Sequence, residues 1–301
     1  MNLEKGAAVG PYIVRGLLAE GGMAVLFHAD VGREYRTRGG PKRVVLKIAK
    51  QEREDALKEE ADFLKRFDHP GIVQIYPLPL EGRTEYVARF ETAVQPGGRR
   101  PYLVLEHVAG GTLADQLERH GRLPVAGVVA IGRQLALALE HVHSKGVLAR
   151  DIKPSNVLFR RRPWFLWSKG LRVVLCDFGI ALDRQRPHAG EPSAGTFAYM
   201  SPEQVRRMDN RQVPIDAPSD VYALGVVMYE MLTGHTPFGG DVSLIVDPAV
   251  TAVPPSRVRH GVPAPLEAVV MHALAKSPQQ RIPSAGALAA ILAGLPRKVK
   301  R

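Results

Sequence analysis

A carboxylate, an ammonium and a carboxamide fall within six positions at Asp151, Lys153 and Asn156, inside the stretch Leu148-Ala149-Arg150-Asp151-Ile152-Lys153-Pro154-Ser155-Asn156. Residues of these types at this spacing suit phosphoryl transfer. The carboxylate accepts the proton of an attacking hydroxyl, the ammonium balances charge on the moving group, and the amide holds a metal ion. Alone the pattern is weak, since chance supplies it in surface loops. It gains weight from Cys176-Asp177-Phe178-Gly179, which closes the apolar run Leu171 to Leu175, read as a buried strand.

Further elements must stand behind such a set. Two strands, Tyr12 to Leu18 and Ala24 to Ala29, are joined by Ala19-Glu20-Gly21-Gly22-Met23, a turn whose glycines let backbone N–H groups come close to phosphate oxygens. Val44-Val45-Leu46-Lys47-Ile48 is a β-branched run with a lysine inside it, and Arg33 to Arg43 before it reads as a basic, glycine-rich loop. Glu52 to Phe67 reads as an amphipathic helix with Leu57, Ala61, Leu64 and Phe67 on one face, stopping before Asp68-His69-Pro70. Val125 to Lys145 is a long apolar-striped helix ending at Gly146. His141 and His143 stand two apart on it, so they face different ways and are read as packing and surface residues, not a metal pair.

With these motifs in order, the chain resembles the eukaryotic-like (Hanks-type) serine/threonine protein kinases, most of all their bacterial branch, across about residues 9 to 295. The resemblance implies an α+β, two-lobed fold. It divides the chain into an N-lobe at 9–108 with a small antiparallel sheet and one key helix, a mainly helical C-lobe at 109–295, and a basic tail at 296–301. It implies ATP and Mg²⁺, or Mn²⁺, as cofactors. Asp151 becomes the base, Lys153 the charge stabiliser, and Asn156 and Asp177 the metal ligands; Lys47 orders the phosphates, paired with Glu60 or, if the helix rotates, Glu59. The nucleotide would lie among Leu18, Gly21, Gly22, Leu26, Val45, Lys47, Thr112 and Leu158, with adenine on the Glu106 carbonyl and Val108 amide behind Leu105.

The resemblance also assigns structural and regulatory residues. Gly195-Thr196-Phe197-Ala198-Tyr199-Met200-Ser201-Pro202-Glu203 resembles the close of an activation segment, Glu203 would pair with Arg281, and Asp220 would cap the catalytic loop. Thr196 together with Lys153 implies serine/threonine substrates. Arg150 would bind a loop phosphate, with Ser193 the better acceptor. Three departures stand out: Ala149 where the family has His or Tyr, Val45 where it has Ala, and a glycine loop that keeps only Gly21 in place. They favour a rival reading, a nucleotide-binding scaffold without turnover; intact Lys47, Asp151, Asn156 and Asp177 favour the enzyme.

Bulk composition sets the remaining expectations. A chain of 301 residues, 45% hydrophobic, buries a large core, and no apolar stretch is expected to approach the ~20 residues of a membrane helix. One cysteine excludes a disulfide framework and points to a reducing cytoplasm, and the amino terminus lacks the plan of a signal peptide. The net charge of +11 favours anionic partners, yet no aromatic-interleaved basic platform suggests nucleic acid. Protein substrates are expected, and activation through a homodimer stays open. Ile72 to Pro101 is read as an elongated strand hairpin, more decoration than docking site. The Arg160–Trp167 hairpin and the basic tail leave membrane contact open, with the tryptophans covering the adjacent lobe the favoured alternative. Asp241 to Val246, running into Pro248, looks like a truncated docking helix.

Overall fold

The computed structural model describes residues 3–36, 40–50, 53–80, 83–92, 95–161, 170–183, 197–210 and 212–295. It divides into two units, Met1–Asp68 with Val73–His107, and His69–Ile72 with Val108–Arg301.

The first unit is built on an antiparallel sheet. In chain order its strands are β1 (Ala8–Val9), β2 (Tyr12–Glu20), β3 (Ala24–Val31) and β4 (Arg43–Ala49), then, after helix α1 (Glu54–Leu64), β5 (Ile75–Tyr76), β6 (Leu78–Leu80), β7 (Arg83–Glu85), β8 (Ala88–Thr92) and β9 (Gln95–Glu106). The sheet runs β1-β2-β3-β4-β9-β5, with β8 beside β9 and the β6–β7 hairpin apart. Alternation decides its two faces. Val25, Phe27 and Ala29 of β3, Val44, Leu46 and Ile48 of β4, and Tyr102 and Val104 of β9 join Val9, Val14 and Leu78 in one core. Full burial of each Leu or Ile there contributes about 1.5–3 kcal/mol. The other parity of β4 is thereby left with Val45 and Lys47.

Helix α1 packs beside β9 and is shorter than its pattern suggests. Its buried face is Leu57, Glu60, Ala61, Phe63 and Leu64. The chain tightens after Leu64, with Phe67 N donating to the Leu64 carbonyl, so Phe67 leaves the helical stripe and Phe63 takes the buried place. The segment from Ile72 to Pro101 forms two hairpins, β6–β7 and β8–β9, where one was expected.

The second unit is mainly helical. Its elements are α2 (Leu113–His120), α3 (Val125–Ser144), β10 (Val147–Leu148), β11 (Val157–Phe159), β12 (Val173–Leu175), β13 (Leu182–Asp183), α4 (Pro202–Asp209), α5 (Ala217–Thr233), α6 (Val242–Val246), α7 (Pro255–Val258), α8 (Ala264–Ala273) and α9 (Ala285–Gly294). Helix α5 is buried along almost its whole length, which fits its apolar sequence, and α3, α8 and α9 pack around it. Helix α3 corrects one expectation: at 20 residues and mean hydropathy 1.4 it is long and apolar enough to cross a membrane. Its stripe Val128, Ile131, Leu135, Leu139 and Val142 is buried inside this unit. Helix α6 is only five residues long, in line with the truncated pattern.

Candidate active site

In the first unit, β4 holds Lys47 opposite Leu26 of β3 and Leu103 of β9. Its ammonium donates to Glu60 Oε1 at 2.7 Å and lies 2.6 Å from Oε2. Both side chains are buried, Lys47 6% and Glu60 2% exposed. The pairing partner is therefore Glu60, while Glu59 stays exposed. Burial makes this pair demanding, because removing one member leaves an uncompensated charge. Val45, one turn of the pleat away, is buried opposite Leu105. Leu18 is exposed and Leu26 half-buried on the glycine hairpin. In that turn Gly21 N donates to the Ala24 carbonyl at 3.0 Å. A Cβ built on Gly21 would make only ordinary contact with that carbonyl oxygen at 3.7 Å, and one on Gly22 would meet nothing within 4 Å. Among the described residues, packing alone does not require glycine at these two positions. At the end of β9, Glu106 N donates to the Gln74 carbonyl at 2.8 Å, and the chain passes to the second unit at Val108.

In the second unit, one carboxylate organises the catalytic stretch. Asp220, in the first turn of α5, accepts from Arg150 N at 2.8 Å through Oδ1 and from Ala149 N at 2.9 Å through Oδ2. His143 Nε2 meets the same Oδ2 at 2.8 Å. Arg150 is held at φ +65, a left-handed conformation costly for a side-chain residue. Asp220 on its amide and Gln204, donating to its carbonyl at 3.0 Å, secure it there. The Arg150 guanidinium donates to the Ile180 carbonyl at 3.2 Å. Burial, then the neighbouring Arg207, push that guanidinium below its ordinary range, against the pull of Asp220 and Asp151.

Asp151 follows directly. Its Oδ2 accepts from the Asn156 amide at 3.0 Å and lies 2.8 Å from the Lys153 ammonium; the same Asn156 amide donates to the Asp151 carbonyl at 2.9 Å. Its Oδ1 is buried and has no hydrogen-bond partner among the described residues. A 3-10 turn at Pro154–Asn156 leads into β11, which pairs with β12 in the register Val157 to Leu175. That register brings Asn156 beside Cys176, whose amide and thiol both donate to the Asn156 carbonyl, at 2.9 and 3.3 Å. Asp177 comes next, exposed, at φ +65, its Oδ1 accepting from Gly179 N at 3.3 Å.

The other sites named on sequence grounds fall out as follows. Leu158 of β11 bridges to Thr112. The Thr112 hydroxyl is used as the cap of α2, accepting from Asp115 N. Gly110 lies so close to β11 that a Cβ would stand 2.1 Å from the Phe159 carbonyl oxygen, so only glycine fits this approach. Glu203 and Arg281 form a two-bond fork at 2.6 and 2.8 Å, with Ser219 donating to Glu203 at 2.5 Å. Ser193, Thr196, the tip of the Arg160–Trp167 hairpin and the tail at 296–301 lie outside the described residues.

Sequence reasoning missed two residues of this site. His143 was read with His141 as a packing or surface residue; its ring is packed, as that allows, but its hydrogen bond to Asp220 was not foreseen. Its partner lies 77 positions on, so no local spacing signals it. Gln204 was not singled out; its signal is the capping box it forms with Ser201, which fixes the start of α4 and aims the Gln204 amide at the catalytic stretch.

The first unit thus holds a buried Lys–Glu pair between a strand and a helix, and the second an Asp-Lys-Asn set tied to a further carboxylate by a strand register, each of a type that phosphoryl transfer uses. Comparison with known proteins agrees. The protein kinase domain model matches residues 21–290, and the chain belongs to the protein kinase family. The serine/threonine-protein kinase PknB of Mycobacterium leprae is 35% identical over 245 residues, 78% of this chain and 35% of that protein. PknB of Mycolicibacterium smegmatis is 36% identical over 248 residues. The serine/threonine-protein kinase PknL of Mycobacterium bovis is 35% identical over 251 residues, 75% of this chain and 59% of that protein. The chain thus spans about a third of the length of the PknB relatives. Membership of the family implies use of ATP with a divalent metal ion, and protein acceptors.

Proposed function

We propose that this chain transfers the γ-phosphoryl group of Mg²⁺-bound ATP to serine and threonine hydroxyls of proteins, its own activation segment among them. One observation carries the reading: the two oxygens of Asp151 are unlike. Oδ2 is held by Asn156 and Lys153, while the buried Oδ1 lacks a partner among the described residues. A buried acceptor left unsatisfied costs about 1–3 kcal/mol. An incoming hydroxyl would satisfy it.

The donor set also fits the metal and nucleotide. When bound, Mg²⁺-ATP supplies the phosphoryl group and a cation that shields its charge. Asn156 is anchored through its side-chain nitrogen, so its side-chain oxygen Oδ1 suits a hard cation, as does the exposed carboxylate of Asp177. Mg²⁺ or Mn²⁺ satisfies that chemistry. Lys47, fixed by Glu60, presents its charge to phosphate oxygens, and the absence of a Cβ at Gly21 and Gly22 leaves room for them to approach the backbone. Asp151 Oδ1 takes the acceptor's proton, and Lys153 steadies charge on the group in transit. The single cysteine supports the cytoplasm as the working compartment.

Incubation with Mg²⁺ and labelled ATP tests the reading, followed by phosphoamino acid analysis of the chain and of a generic basic protein. Phosphoserine or phosphothreonine is expected, and Asp151→Asn should lower the rate about 10²–10⁴-fold. No label above the Asp151→Asn background would overturn it.

A further inference from the structure

Two histidines meet where the glycine-turn hairpin reaches the end of β9. On β3, alternate residues Val25, Phe27 and Ala29 enter the core, so Leu26, His28 and Asp30 take the other face. On β9, Tyr102 and Val104 enter that core, so His107, just past the strand, falls on the same side as His28. Their rings stand edge to face, centroids 5.0 Å apart at 68°. Both residues are half-buried. Burial, then His107, then Arg43 hold the His28 imidazole below its ordinary value; burial, then Arg43, do the same for His107.

The charged groups nearby give protonation no support. Arg43 of β4 repels it. Asp30, the one carboxylate on this face of β3, is engaged by Arg15 of β2 at 2.8 Å and lies 3.8 Å from Arg43. Glu106 of β9 belongs to the opposite parity of the strand.

We infer that His28 and His107 form a clasp that fixes the β2–β3 hairpin to the end of β9, and that a proton releases it, making nucleotide affinity pH-dependent. The nucleotide part rests on the proposed kinase reading, in which Glu106 and Val108 flank His107 as the adenine contacts. The sign follows from linkage. Above about 6.5, the ordinary imidazole value, both rings are neutral in any state and the clasp stays closed. As pH falls below that value, the opened arrangement takes up protons that the closed one refuses. Each pH unit then favours opening by up to about tenfold per imidazole. His28 and His107 act as positioning residues, touching neither reacting atoms nor, in this reading, the nucleotide.

The experiment has two arms on the full chain. First, NMR titration of the ligand-free protein follows the His28 ring, identified by its loss in His28→Gln. Its midpoint should lie below about 6.5 and rise in His107→Gln. Second, a fluorescent ATP analogue is titrated without metal at pH 7.5 and 5.5. The wild type should lose several-fold more affinity over that interval than His28→Gln. An ordinary His28 midpoint, one indifferent to His107→Gln, or equal pH dependence of binding in wild type and variant would overturn the clasp. Absence of analogue binding at pH 7.5 would count against the nucleotide reading, and the first arm alone would then decide the clasp.

Discussion

Asp220 does more at the residue scale than cap a loop. It accepts from two successive amides and from His143, and so holds Arg150 in its left-handed conformation one residue before the proposed base. Ala149 is fully enclosed, as is Phe178, so the smaller side chain at 149 leaves no opening to solvent. His143→Phe keeps a ring in place but removes the donor to Asp220. It should cost about 1–3 kcal/mol, the penalty for leaving a buried acceptor short of a partner. Urea unfolding would show this as a lower midpoint with an unchanged slope. An unaltered midpoint would mean that the two amides alone satisfy Asp220. This residue also marks where the sequence stopped being readable. Lys47, Asp151, Lys153, Asn156 and Asp177 stand within short local motifs, and it is the resemblance of those motifs to the kinase family that suggests their roles. The resemblance offered Glu60 as the partner of Lys47, with Glu59 as the alternative, and the buried contact is with Glu60. His143 belongs to no such pattern, because α5 carries its partner across 77 positions.

At the scale of elements, one guanidinium ties three segments together. Arg281 donates to Glu203 at the start of α4, to the Pro218 carbonyl at the start of α5, and to the Ala275 and Lys276 carbonyls after α8. Lysine has the charge but not the fork. Arg281→Met should destabilise by about 3–5 kcal/mol, as expected when a buried charge loses its partner. Arg281→Lys should recover less than half of that, measured by chemical denaturation. The pair also carries a pH signature. Burial alone would raise the Glu203 carboxyl, but the bonds from Arg281 and Ser219 outweigh it and hold the group below its ordinary value. Its contribution is therefore present above about 4.5 and fades as pH falls through the lowered folded value. The gap in stability between wild type and Glu203→Gln should shrink below pH 4.5; a gap that stays constant would deny the ionised fork its role. Elements with strong periodicity, β4 and α3 above all, were legible in the sequence. The end of α1 and the split of residues 72–101 into two hairpins were not, because packing around Phe63 and strand pairing with β9 decide them.

For the molecule as a whole, the two units carry different chemistries: the buried Lys47–Glu60 pair in one, and the oxygens of Asn156 and Asp177, proposed for the metal, in the other. Any ligand bound only by the folded state raises stability by mass action, about 2.7 kcal/mol at a hundred times its dissociation constant. On the proposed reading, the metal-dependent part of that gain comes from the second unit, and Asp177 allows it to be isolated. Asp177 is exposed and sits at φ +65, a conformation that asparagine adopts more readily than most residues. Asp177→Asn keeps that backbone conformation and an oxygen for Gly179 N, so the melting temperature of each ligand-free protein is the baseline from which its ATP and Mg²⁺ increments are read. Adding ATP without metal should raise wild type and variant alike. Adding Mg²⁺ on top should raise only the wild type, because an amide offers the cation one neutral oxygen where a carboxylate offers charge. Calorimetric scans of both proteins, with and without ATP and Mg²⁺, measure each term directly. An equal Mg²⁺ increment in Asp177→Asn would place the cation on other residues and remove Asp177 from the metal site.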